Sequence, residues 1–111
     1  AQFNSVNFVA IVPIGTAVFF QFATECSQGM GTPPTCTNND WKFIGDDGTK
    51  DTFYKIDPTY TDSHAYHTRF INLKNLYHNN SRYFRYRIRL KSDKTQTETP
   101  VVEDVVVNWS P

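Results

Sequence analysis

In Arg82-Tyr83-Phe84-Arg85-Tyr86-Arg87-Ile88-Arg89-Leu90-Lys91, ring or aliphatic side chains and cations alternate strictly from Phe84 to Lys91. Phe84, Tyr86, Ile88 and Leu90 share one face, and Arg85, Arg87, Arg89 and Lys91 share the other. That is the period of a β-strand with one side in a core and one in water. A polar, threonine-rich connection follows. After it comes Thr99-Pro100-Val101-Val102-Glu103-Asp104-Val105-Val106-Val107-Asn108-Trp109-Ser110-Pro111, which reads as a second, valine-rich strand. Two long strands joined by so short a connection are expected to pair as an antiparallel hairpin.

Outward from this segment, the rest of the chain reads the same way. Residues 4–12 predict a first strand, Pro13-Ile14-Gly15 a turn, and residues 16–24 a second strand. Within the second, Val18, Phe20 and Phe22 should face inward, and Phe19, Gln21 and Ala23 outward. Residues 40–44 predict a short third strand. Gly45-Asp46-Asp47-Gly48-Thr49 is a turn, since Asp-Gly tolerates the positive backbone angles of a tight reversal. Residues 52–56 and 69–73 predict two more strands, with turn-rich sequence between them. No segment keeps a helical period and none repeats another. The pattern predicts one all-β domain over residues 1–111, an antiparallel β-sandwich of about seven strands.

Composition agrees. A chain of 111 residues holds one modest core. Its 15% aromatic content, with nine Phe and six Tyr, suits strands around an aromatic interior. Eleven basic and eleven acidic side chains cancel, which argues against nucleic acid or an anionic membrane as the main partner. Mean hydropathy is −0.52, and no apolar run approaches the roughly 18–20 residues of a membrane span. The sequence opens on Ala1 rather than Met and has no basic-then-apolar leader, so we expect a processed product or an excised domain. Cys26 and Cys36 enclose a polar, Gly- and Pro-containing loop, which reads as a disulfide formed in an oxidising compartment. Closing such a loop contributes about 2–3 kcal/mol. Two free thiols are the alternative. A zinc site would need more ligands.

Several features bear on function. Arg85, Arg87, Arg89 and Lys91 project from one strand face over about 20 Å. Such a stripe suits a polyanion or an acidic glycan, and it equally suits a solvated face paired with carboxylates such as Glu98, Glu103 and Asp104. We expect the paired face. Asp46, Asp47 and Asp51, with Asp40 nearby, are candidate Ca²⁺ ligands, but their spacing is not that of an EF-hand and Lys50 interrupts them. We expect a plain hairpin turn here, with Ca²⁺ the minority alternative, and no other cofactor or metal. His64 and His67 flank Ala65-Tyr66, too few ligands for a transition metal. Trp41, Tyr54, Tyr60, Tyr66 and Tyr77 lie near turns, where exposed rings stack on sugars; of these we take Trp41 and Tyr54 as candidate platforms.

No nucleophile elbow, zinc-protease helix, phosphate loop or Cys/His pair is present, and we expect no enzyme. Asn79-Asn80-Ser81 and Asn108-Trp109-Ser110 match the glycosylation sequon. Lys42 or Lys55 with Asn108 and Glu103 would be the candidates for an intramolecular isopeptide bond.

Five segments together carry a resemblance. They are Gly15-Thr16-Ala17-Val18-Phe19-Phe20-Gln21-Phe22-Ala23-Thr24, the Cys26–Cys36 loop, Trp41-Lys42-Phe43-Ile44-Gly45-Asp46-Asp47-Gly48-Thr49, Arg82-Tyr83-Phe84-Arg85-Tyr86-Arg87, and the closing run from Thr99 to Pro111. The chain resembles the C-terminal β-sandwich of bacterial pilin-like (prepilin-type) surface proteins. The resemblance implies an extracellular, non-enzymatic head domain at the bacterial cell surface, structural or adhesive, that follows an N-terminal apolar assembly helix. Its partners would be other copies of itself or filament subunits, with surface glycans as further ligands. It also implies that Cys26 and Cys36 pair. The alternative is a carbohydrate-binding module of a secreted protein.

Overall fold

The computed structural model describes residues 2–25, 41–58, 65–73 and 83–111. Among the described residues the regular elements are all strands: β1 (Gln2–Ile11), β2 (Ala17–Ala23), β3 (Tyr54–Ile56), β4 (His67–Asn72), β5 (Arg85–Lys91) and β6 (Val101–Ser110). They form two antiparallel three-stranded sheets, β4-β1-β6 and β3-β2-β5. The all-β, two-layer expectation holds, with six strands among the described residues. Of the expected strand at 40–44, the described residues 41–44 make isolated bridges and no strand. β3 occupies the edge of β2 at Val18, Phe19 and Phe20, and the earlier segment pairs only beyond it, through a Phe22–Ile44 bridge. Cys26 and Cys36 lie outside the described residues.

Alternation on the two central strands makes the core. Val6, Phe8, Ala10 and Val12 of β1 and its extension are buried, as are Val18, Phe20 and Phe22 of β2. Phe8 and Phe20 meet between the sheets with ring centroids 4.9 Å apart, and Phe22 lies 5.5 Å from Phe84. Each such ring contributes about 2–3 kcal/mol by leaving water. Tyr54, Ile71 and Leu73 complete the cluster.

The expected β5–β6 hairpin does not form. β5 pairs with β2 from Ala17↔Lys91 to Ala23↔Arg85, and β6 pairs with β1 from Gln2↔Ser110 to Ile11↔Val101. The connection between them crosses from one sheet to the other. The paired strands match in length, ten residues each for β1 and β6 and seven each for β2 and β5, so few of their ladder groups are left unpaired. The connection folds on itself around Asp93, whose carboxylate accepts from the backbone of Thr97 at 2.9 Å and of Glu98 at 3.2 Å. Those bonds lower the Asp93 pKa, the one from Glu98 most.

Gln21 and Ala23 lie on the outer side of β2 as expected, yet both are 0% exposed because that side is roofed. One further expectation is corrected. On β5, Phe84 and Ile88 pack against the core, whereas Tyr86 and Leu90 are 44% and 45% exposed. β5 is an edge strand, so part of its inward face sits at the rim. On β6 the ladder steps from Asn7↔Val106 to Val9↔Glu103, one residue more on β6 than on β1. Asp104, with φ 54°, sits in that bulge. The extra residue is why Val102, Val105 and Val107 all face the core despite their uneven spacing.

Candidate functional site

The outer side of the β3-β2-β5 sheet gathers most of the chemistry. β5 places Arg85, Arg87 and Arg89 there, in register with Ala23, Gln21 and Phe19 of β2. Beyond β2 lies the segment 41–53, tied to it by hydrogen bonds from Lys42 N to Glu25 O (2.9 Å) and between Phe22 and Ile44 (3.1 and 3.0 Å). Trp41, Phe43 and Phe53 stand on this segment, each half-buried. The small or flat side chains of β2 let the arginine stems lie across them and reach those rings.

Each guanidinium stacks. Arg85 lies 5.2 Å from the Trp41 ring centre, Arg87 4.6 Å from Phe43, and Arg89 4.7 Å from Phe19 and 5.1 Å from Phe53. Lys55 approaches Phe19 from the β3 side at 5.9 Å. Contacts of this kind contribute about 0.5–1 kcal/mol each at exposed sites. The three arginines stay exposed. A ring beneath a guanidinium occupies its face and leaves the in-plane N–H donors at its edge for a ligand.

The expected pairing of this stripe with carboxylates is therefore corrected for Arg87 and Arg89, which meet rings and an amide among the described residues. Glu103 and Asp104 belong to β6, in the other sheet.

Gln21 sits at the centre. Its Nε2 donates to the carbonyls of Lys50 (3.0 Å) and Thr52 (2.7 Å), and its Oε1 accepts from Arg87 Nε at 3.0 Å and also from Arg87 Nη2. The loop that supplies those carbonyls is closed by Gly45 and Gly48. Gly48 has φ 82°, which its lack of a Cβ permits. Asp47 Oδ1 accepts from Thr49 N (2.9 Å), Thr49 Oγ1 (2.7 Å) and Thr52 Oγ1 (2.5 Å). These bonds hold the Asp47 carboxyl below its ordinary pKa, Thr52 contributing most.

The other candidates separate. Asp47 turns its carboxylate into its own loop, and among the described residues no three potential ligands converge on a cation position. Trp41 lies under Arg85, so the face it would offer a sugar is covered. Tyr54 is not a sugar platform: it is 8% exposed and packs 5.3 Å from Phe22 in the core. Tyr66 is exposed and donates to Glu103 at 3.1 Å, which raises its pKa.

The isopeptide grouping fails too. Lys42 pairs with Glu25 at 3.5 Å and Lys55 with Asp57 at 3.3 Å, both in solvent, while Asn108 donates to Ser5, its β1 neighbour within the β4-β1-β6 sheet. Asp40, Tyr60, His64, Tyr77 and Asn79-Asn80-Ser81 lie outside the described residues. The sequence reading missed Gln21, Phe43, Phe19 and Phe53. A signal existed for the first: Gln21 is the one hydrogen-bonding side chain inside the otherwise apolar run Ala17–Ala23.

No helix of the described residues is long and apolar enough to cross a membrane. No family model matches the chain, and neither does any curated protein or solved structure.

Proposed function

We propose that this chain is an extracellular, non-enzymatic head domain of a bacterial pilin-like surface protein, adhesive in role, which grips acidic surface glycans through Arg85, Arg87 and Arg89. The observation that carries this reading is the row of exposed guanidiniums, each seated on an aromatic ring. Seated cations lose little freedom on binding, and their free edges suit carboxylate or sulfate oxygens. Contacts with other copies of the domain belong to the same proposal. The outer side of the β4-β1-β6 sheet supports them, because Phe70 and Val106 flank Asn7 there and are 65% and 52% exposed.

The test is retention on an immobilised acidic polysaccharide across a salt gradient, against a neutral polysaccharide. The domain should bind the acidic matrix at low salt and elute as salt screens the contact. Replacing all three arginines with Ala should abolish retention while circular dichroism stays that of the parent. Equal retention of parent and variant, or none by the parent, refutes the reading.

A further inference from the structure

The three arginines are not equivalent. Arg89 meets only rings among the described residues, whereas Arg87 is also held in its own plane. Its Nε and Nη2 both donate to Gln21 Oε1, and the Gln21 amide is in turn anchored by two backbone carbonyls of the 45–53 loop. Gln21 is 0% exposed, and both its Nε2 protons and its Oε1 are engaged. A guanidinium carries five N–H donors. Two of Arg87's are directed inward, which leaves Nη1 and the remaining Nη2 proton as a parallel pair on the solvent side. The Phe43 ring centre lies 4.6 Å from the Arg87 guanidinium carbon.

We propose that Arg87 is an oxyanion receptor at the centre of this face, taking a carboxylate or sulfate oxygen pair of an acidic sugar end-on, and that Gln21 is the positioning residue that aims it. This rests on the reading of the face as a glycan-binding surface. Lysine in place of Arg87 keeps the charge and loses both the plane and the fork. Leucine in place of Gln21 keeps the volume and releases the guanidinium.

The experiment titrates the domain with three oligosaccharide probes of equal length: one of uronic acids, one sulfated, one neutral. Affinity and the ¹⁵N-resolved Nε–H signal of Arg87 are read together. Arg87→Lys should weaken binding of the charged probes about tenfold, while Arg89→Lys weakens it less than about threefold. Gln21→Leu should approach the loss of Arg87→Lys and should speed exchange of the Arg87 Nε–H relative to the parent, which a purely structural role would not require. Arg87→Lys lies on the exposed face, so the test does not depend on whether Gln21→Leu folds.

Greater loss with the uronic probe assigns the seat to a carboxylate, and greater loss with the sulfated probe to a sulfate ester. Equal losses at Arg87 and Arg89, or unchanged affinity in Arg87→Lys, overturn the inference while leaving glycan binding by the face intact. If the parent binds none of the charged probes, the functional proposal fails with it.

Discussion

A Cβ placed on Gly45 would lie 2.1 Å from the carbonyl carbon and oxygen of Thr52 and 2.4 Å from the nitrogen of Phe53. Nothing but hydrogen fits there, because the neighbours are backbone and cannot swing aside. Thr52 O is also an acceptor for Gln21, so the loop's closure and the arginine face share one residue. Gly45→Ala must open the loop, and we expect it to cost about 2–3 kcal/mol in a denaturant titration. Gly15 is the contrast. Its φ is 86° and its Cβ would meet Asp93 alone, Cβ at 3.3 Å and Cα at 4.0 Å, so Gly15→Ala should cost about 1 kcal/mol. Equal losses at the two glycines would contradict this account. At the same scale Gln21 shows where alternation runs out. Parity assigns a side chain to a face of the sheet, and it says nothing about whether a later segment covers that face. The cover here comes from residues 41–53, whose approach depends on Gly45 and on side-chain bonds that no local pattern records.

Among the elements, β5 was legible and its partner was not. Strict alternation of apolar and basic side chains identifies the strand without any knowledge of neighbours. Partner choice compares whole strands, and the short connection after Lys91 pointed to the wrong one. β6 lies along β1 and β5 along β2, with the connection after Lys91 crossing between the sheets. β6 likewise hides its register, since Val101-Val102 and Val105-Val106-Val107 fit neither simple phase. The bulge at Asp104 resolves it by taking one residue out of the ladder. A left-handed backbone costs a non-glycine residue about 1 kcal/mol, less for Asp than for a β-branched residue. Asp104→Gly should therefore leave stability unchanged or raise it by up to about 1 kcal/mol, and Asp104→Val should lower it by about 1–2 kcal/mol. The thermal midpoints of the two variants should fall on opposite sides of the parent, or the Gly variant on the parent's; a more stable Val variant would show that the bulge relocates.

For the molecule as a whole, a formal charge of zero conceals a division between the two sheets. β5 brings Arg85, Arg87, Arg89 and Lys91 to one outer face and β3 adds Lys55, while Glu103 and Asp104 belong to the opposite sheet. The argument from net charge against anionic partners averages over this division, and strand parity is what creates it. The acids in turn hold the loops. Asp47 closes the loop under the arginine face, and Asp93 closes the connection between the sheets, each by accepting bonds from neighbouring Thr or backbone donors. Both carboxyls have their pKa lowered from 3.8 by those bonds, Asp47 mainly by Thr52 and Asp93 mainly by the Glu98 backbone. A group whose folded pKa lies below its unfolded value takes up its proton first in the unfolded chain. Its contribution is therefore complete above the unfolded pKa and is lost as pH falls through the folded one. The thermal midpoint of the parent should then drop as pH falls below about 4. Asp47→Asn with Asp93→Asn should lower the midpoint at neutral pH and flatten this acid limb, so that the two curves draw together as pH falls. Parallel curves across the whole range would mean that the two carboxylates order their loops by shape alone, with no contribution from their charge.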